Sequence, residues 1–218
     1  MALEQGQAHY LKHVLRRQQN DTVRLFNSKD GEWLAALAFT GKKHVVACVR
    51  ECLRPQPPAA SHIHLLFAPI RKNRMDFLIE KAVELGVTDL HPVITANTEH
   101  RHINPARLRA QIIEAAEQCE RCDIPVLQES ADLAGCLAAW PEAVPVLACL
   151  ERHQATALSF PVSGAVAALV GPEGGLTADE MRLILSFPFV RPVSLGGTIL
   201  RAETAALKIL SLIGGTDR

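Results

Sequence analysis

Two runs in the second half of the chain, AVPVLACL (143–150) and AVAALV (165–170), carry no charged or polar side chain. They have strand length but no alternation, the pattern of a strand covered on both faces, and such strands belong to parallel sheets sandwiched between helices. The surrounding residues agree. HIHLLFA (62–68) and VTDLHPVIT (87–95) read as two more strands, and between them RMDFLIEKAVELG sets Met75, Leu78, Ile79, Ala82 and Leu85 at helical spacing before Gly86. Asn104 and Pro105 are cap and first residue of a further helix with Leu108, Ile112, Ala115 and Cys119 inward. Strand and helix in alternation predict an α/β domain over residues 61–218.

Residues 55–60 read as a linker, since Pro55, Pro57 and Pro58 suit neither a helix interior nor a central strand. In residues 1–54 the short runs VRLFN, EWLAALAF and HVVACVREC are separated by turn residues, which predicts a small β-rich domain. Charge is divided unevenly. The whole chain has 23 basic and 23 acidic residues, yet residues 1–54 hold 9 basic against 5 acidic, so contact with a polyanion is expected to involve the first domain. No apolar run approaches the roughly 20 residues of a membrane span, and the N-terminal residues lack the apolar core of a secretory signal, so a cytoplasmic protein is expected. Six cysteines scattered over 218 residues fit a reducing compartment. Cys119 and Cys122 form a C-x-x-C in a helical pattern with no second ligand pair, and His62/His64 and His100/His102 read as a strand pair and a solvated loop; no metal is expected.

Chemistry concentrates in two segments. In the first, a strand ends at Val170, the loop Gly171-Pro172-Glu173-Gly174-Gly175 follows, and Thr177 with Glu180 makes a capping box for the next helix. Ligands of open α/β sheets lie beyond the carboxyl ends of strands, which is where this loop falls. A tight solvated turn is the alternative. A P-loop is excluded for want of its lysine, and a dinucleotide fingerprint for want of G-x-G-x-x-G. In the second segment a strand ends at Leu195 and a Gly196-Gly197 loop leads to a helix from about Ala202 to Ile213. Arg201 stands where a helix dipole disfavours a cation, so it has another purpose, either a local ion pair or a functional contact.

Taken together, GPEGGLTADE, LGGTILRAETA, IEKAVELGV and IIEAAEQCER resemble the ribosomal RNA small subunit methyltransferase E family, uridine-N3 methyltransferases of the SPOUT class. HYLKHVLRRQQNDTVRLFN is similar to that family's N-terminal PUA-like RNA-binding barrel. The resemblance implies a SPOUT-type α/β domain with a C-terminal trefoil knot behind a small PUA-like domain. It also implies S-adenosyl-L-methionine as cofactor, a homodimer, and methylation of uracil N3 in the decoding region of 16S ribosomal RNA, free or within the small ribosomal subunit. The chain departs from the family pattern in lacking an Arg-Phe-Phe-type first strand, in carrying Thr198 where an arginine is usual, and in lacking an arginine near Asn97. These departures leave a second reading, an RNA-binding or ribosome-assembly factor of weakened turnover.

On that resemblance the cofactor is expected against Leu150, the loop Gly171, Pro172, Glu173, Gly174 and Gly175, and then Leu195, Gly196, Ile199 and Leu200. Arg201 would donate to charge developing on the uracil carbonyls. Glu173 would either take the N3 proton or order its loop. Phosphate contacts are expected from Arg16, Arg17 and Arg24, beside Lys12, in the first domain and from Arg71, Lys72 and Arg74 in the second. The apolar C-terminal stretch AALKILSLIGG exceeds what one buried helix face requires, which points to a homodimer through the second domain.

Overall fold

The computed structural model describes residues 1–40, 44–55, 62–150, 156–157 and 164–214. It divides the chain into two units, Met1–Ala59 and Ala60–Arg218. Of the expected linker only Pro55 falls among the described residues.

The first unit opens with α1 (Gln5–His9), which continues as a π-helical turn over Tyr10–Val14. The three alternating runs then form an antiparallel meander of β1 (Thr22–Asn27), β2 (Gly31–Thr40) and β3 (His44–Arg54). Its core is small: Ala8 of α1 packs with Leu37 and Val45. A buried carboxylate adds a polar tie, because Glu32 on β2 accepts from Arg24 on β1 at 3.2 Å and pairs with Arg54 on β3 at 3.2 Å.

The second unit follows the apolar runs closely. Its strands are β4 (Ile63–Phe67), β5 (Asp89–Ile94), β6 (Val126–Leu127), β7 (Ala131–Asp132), β8 (Val146–Cys149), β9 (Thr156–Ala157), β10 (Val166–Val170) and β11 (Val190–Ser194). They lie in the order β6-β5-β4-β10-β8-β11-β9, with β7 also paired to β5, and every described pairing is parallel. β10 is buried at every position, as a strand without alternation must be.

Helices cover both faces. α2 (Lys72–Glu84), α3 (Pro105–Gln118) and α6 (Ala202–Gly214) share one core with the sheet, whose members include Leu65, Leu78, Ile112 and Leu210. α4 (Leu133–Ala138) and α5 (Ala178–Ser186) close the other face around Leu66, Leu137, Leu169 and Ile184. The caps are those read from the sequence: Asn104 accepts from the Arg107 amide at 3.1 Å, and Thr177 and Glu180 complete their reciprocal box. α6 differs in one respect. Ala202, Ala205, Ala206, Ile209, Leu210 and Ile213 are all buried within this unit, so the apolar surplus that pointed to a partner chain is largely spent in the protein's own core.

Because α6 packs on α2, β10 and β4, it fixes the loop that precedes it. Leu210 is fully buried, and Leu210→Ala should lower stability by about 2–5 kcal/mol. Urea unfolding followed by Trp140 fluorescence in a Trp33→Phe background measures that loss in the second unit.

Candidate active site

β10, β8 and β11 are neighbours and run parallel, so their carboxyl ends stand side by side. Leu150 leaves β8 there, the glycine loop at 171–175 leaves β10, and Leu195 and Gly196 leave β11. All of them line one cavity of about 980 Å3, which Ile199, Leu200 and Arg201 complete. Arg74, from the first turn of α2, reaches the same cavity. Every residue expected to hold the cofactor is thus brought together, although the two loops are separated by a helix and a strand in sequence.

The loops depend on glycine for different reasons. Gly196 has φ +114°, a conformation that strains any L side chain, whereas a Cβ built there would meet nothing closer than Lys208 Nζ at 3.6 Å. Gly174 is needed for space. A Cβ at that position would lie 3.1 Å from the Cβ of Asn97, which packs on the loop and donates from Nδ2 to the carbonyls of Gly174 at 3.2 Å and Gly175 at 3.0 Å.

Asn97 belongs to the segment after β5, which is itself braced. Thr95 and Thr98 are buried and share a hydroxyl bond of 2.8 Å, and Arg101 donates to the carbonyl of Ala96 at 3.2 Å. The segment therefore does carry an arginine, four positions beyond Asn97 and turned onto its own backbone. Glu180 joins this segment to the start of α5: one oxygen accepts from the Ala96 amide at 2.7 Å and the other from the Thr177 amide at 2.8 Å. Burial works to raise its pKa, but those amides and the Thr177 hydroxyl outweigh it and hold the carboxyl below its ordinary value.

Charge at the cavity is distributed between a paired and an unpaired cation. Arg74 is hydrogen-bonded to Glu173, and its Nε lies 3.8 Å from Glu203, whose side chain is buried. Arg201 is exposed at the cavity and has no ion pair among the described residues, so the local partner that its position allowed is not found there. Burial pushes the Cys149 thiol up to about 12, so this residue lines the cavity as a neutral group. Thr198 is exposed on the loop between Gly196 and Arg201.

The other cations expected to meet RNA lie elsewhere. Arg71 caps α2 and Lys72 begins it, both exposed and outside the cavity lining. Arg16 and Arg17 are exposed in the first unit, while Arg24 is drawn onto Glu32. Three contacts escaped sequence reasoning: Asn97 to its loop, Glu180 to Ala96, and Arg74 to Glu173. They span 77, 84 and 99 residues, and no local spacing signals them.

The cavity suits S-adenosylmethionine. Its volume matches the roughly 300–1,000 Å3 of small-molecule sites. A Cβ at Gly197 would project into open space, so at this point the backbone itself presents to a ligand. Among the described residues no helix is long and apolar enough to cross a membrane.

Comparison with known proteins gives the same direction. The model of the RNA methyltransferase domain matches residues 57–214, and that of the RNA methyltransferase PUA domain matches residues 3–47. The ribosomal RNA small subunit methyltransferase E of Rickettsia conorii is 35% identical over 208 residues, covering 94% of this chain and 85% of its own. That of Synechocystis is 31% identical, covering 98% of this chain and 72% of its own. Among solved structures, the Neisseria gonorrhoeae ribosomal RNA small subunit methyltransferase E bound to S-adenosyl methionine superposes with a TM-score of 0.84 at 30% identity, over 97% of this chain and 89% of that one. With its cavity, its two matched domains and these relatives, the chain belongs to the ribosomal RNA small subunit methyltransferase E family of S-adenosylmethionine-dependent RNA methyltransferases.

Proposed function

We propose that this enzyme methylates N3 of one uridine in the decoding region of small-subunit ribosomal RNA, and that it acts as a homodimer with a trefoil-knotted C-terminal domain. The observation that carries the reading is the meeting of two glycine loops over a cavity at which Arg201 has no ion pair among the described residues. The names of the Rickettsia and Neisseria relatives support the substrate class. The path of the chain supports the knot. After β11, on the far side of β8, the chain returns past the carboxyl ends of β8 and β10 to α6, which packs on β10, β4 and α2.

When bound, the cofactor supplies an electrophilic methyl carbon. The protein's part is to hold that carbon in line with N3, which can lower the barrier by about 7–11 kcal/mol. Leu150, Leu195, Ile199 and Leu200 offer the apolar slot for the adenosine, and the backbone of residues 171–175 and of Gly196 edges it. Loss of the N3 proton spreads negative charge over the flanking carbonyl oxygens, and Arg201 is placed to donate to them. Glu173, tied to Arg74, serves loop ordering in this reading, with Arg74 as its counter-ion instead of a phosphate contact. The phosphate grip falls to Arg71 and Lys72, with Arg16 and Arg17 in the first unit. A splayed uridine needs such a grip, because a base can be presented to a pocket only after it leaves its stack.

The dimer rests less on α6 than the sequence pattern suggested. In the C-terminal segment from the second glycine loop onward the exposed large apolar side chains among the described residues are Ile199 at the cavity and Leu212 near the end of α6, at 61% and 44%. Light scattering at micromolar concentration should return the mass of two chains; a single-chain mass would overturn the pairing.

Two variants separate binding from chemistry. Gly196→Val should abolish calorimetric binding of S-adenosylmethionine while circular dichroism stays native, since φ +114° is closed to valine. Arg201→Ala should leave cofactor affinity nearly unchanged and slow transfer of a tritiated methyl group to small ribosomal subunits by about 100-fold or more. Equal losses in both quantities would make Arg201 a binding residue.

A third measurement concerns the basic first unit. Each phosphate contact removed should lower the slope of log affinity against log salt by about 1, so Arg16→Ala/Arg17→Ala should lower it by about 2 in ribosomal RNA binding. An unchanged slope with normal cofactor affinity would rule out these two arginines as phosphate contacts and move the search to Arg71 and Lys72.

A further inference from the structure

Along the chain His64 has only His62 beside it, in a pair that reads as part of a strand. The sheet supplies further ligands from the next strand. β4 and β5 run parallel with His64 opposite Asp89, and His91 follows two residues later on the same face of β5. Among the described residues, His64, Asp89 and His91 are the one group of metal-type side chains whose ligand atoms all lie within 4.8 Å of one another.

We propose that His64 Nδ1, His91 Nε2 and Asp89 Oδ2 bind one divalent transition-metal ion of the zinc class. The separations carry the assignment. The two imidazole nitrogens face each other at 3.2 Å, and the Asp89 oxygen lies 3.6 Å from the same His64 nitrogen. A hydrogen bond between the rings accounts for the first distance but not the second, which is too long for a direct hydrogen bond. Bonds of about 2.0–2.2 Å at tetrahedral angles set ligand atoms roughly 3.3–3.6 Å apart, and both observed distances lie close to that range, as an ion among the three atoms would require. Two imidazoles and one carboxylate suit zinc and its neighbours better than calcium or magnesium, which take oxygen ligands.

The surroundings are those of a built site. Asp89 is oriented by two donors, Thr88 Oγ1 to Oδ2 at 2.9 Å and Gln128 Nε2 to Oδ1 at 3.1 Å, in the manner of the outer ligand shell of metal centres. Trp140 packs edge-on against both imidazoles, with ring centroids 5.4 and 5.1 Å away, and is itself held by a bond from Nε1 to the Val144 carbonyl. The side chains of His64 and Asp89 are 18% and 17% exposed, so solvent reaches the group and can furnish a fourth ligand. The site lies near the amino ends of β4 and β5, at the end of the sheet opposite the cavity. Its ion would staple two strands together and take no part in methyl transfer.

The test uses the full chain, dialysed against EDTA and titrated with zinc chloride alone. Calorimetry should return one zinc ion per chain, and a saturating excess should raise the melting temperature, since a ligand confined to the folded state stabilises it. His64→Ala/His91→Ala should weaken binding by at least about 100-fold and abolish the thermal shift, with native circular dichroism and unchanged S-adenosylmethionine affinity. A stoichiometry well below one, or a double variant that binds zinc as tightly as the wild type through other histidines such as His9 and His13, overturns the site. Should the double variant not fold, cobalt(II) added to the wild type decides the matter: an intense tetrahedral ligand-field spectrum supports the proposal, and a weak octahedral one refutes it.

Discussion

Everything functional in the second unit depends on one pairing, the parallel alignment of β10 between β4 and β8. A strand flanked on both sides and buried on both faces has no freedom of register, since a slip of one residue would exchange the two cores. Val170 thus ends where it must, beside Cys149 of β8, and β11 brings Val193 to the other edge of Cys149 through its own pairing with β8. Loops 171–175 and 195–201 meet because their strands do. The cavity is a consequence of sheet order, and its glycines allow backbone to form the wall.

The loops nevertheless need anchoring, and the anchors come from β5. Glu180 ties the start of α5 to the Ala96 amide, and Asn97 ties the carbonyls of residues 174 and 175 to the same segment. Arg74 adds a third brace from α2 through Glu173. A loop braced in this way loses little further freedom if a ligand binds to it, which lowers the cost of binding.

The legibility of this arrangement in the sequence follows the range of the interactions. Strands β4, β8 and β10 were readable because burial on both faces writes a continuous apolar run, and the caps at Asn104 and Thr177 because their partners lie three residues away. That the two glycine loops share one cavity follows from their place after neighbouring strands, and the expectation of a cofactor there comes from the family they resemble. Asn97 illustrates what was not legible. As a residue it looked like a lost cation, but its partners are 77 and 78 residues distant and become visible only when β5 and β10 lie in one sheet. The apolarity of α6 does not by itself say which chain covers the helix, and most of it is buried in the unit's own core. The pairing of His64 with His91 was hidden by the same distance, 27 residues along the chain.

The sheet's two borders have a consequence of their own. On one border β6 and β7, each two residues long, both pair with β5, and Val126 of β6 is half exposed; on the other border the described residues of β9 are Thr156 and Ala157. A long parallel sheet with full-length borders would offer a row of unsatisfied amides and carbonyls to any passing chain, its own copies included. On the β5 border a newcomer would find only these short segments. A sheet that tapers in this way keeps its long, apolar strands away from that border and leaves another chain little to extend.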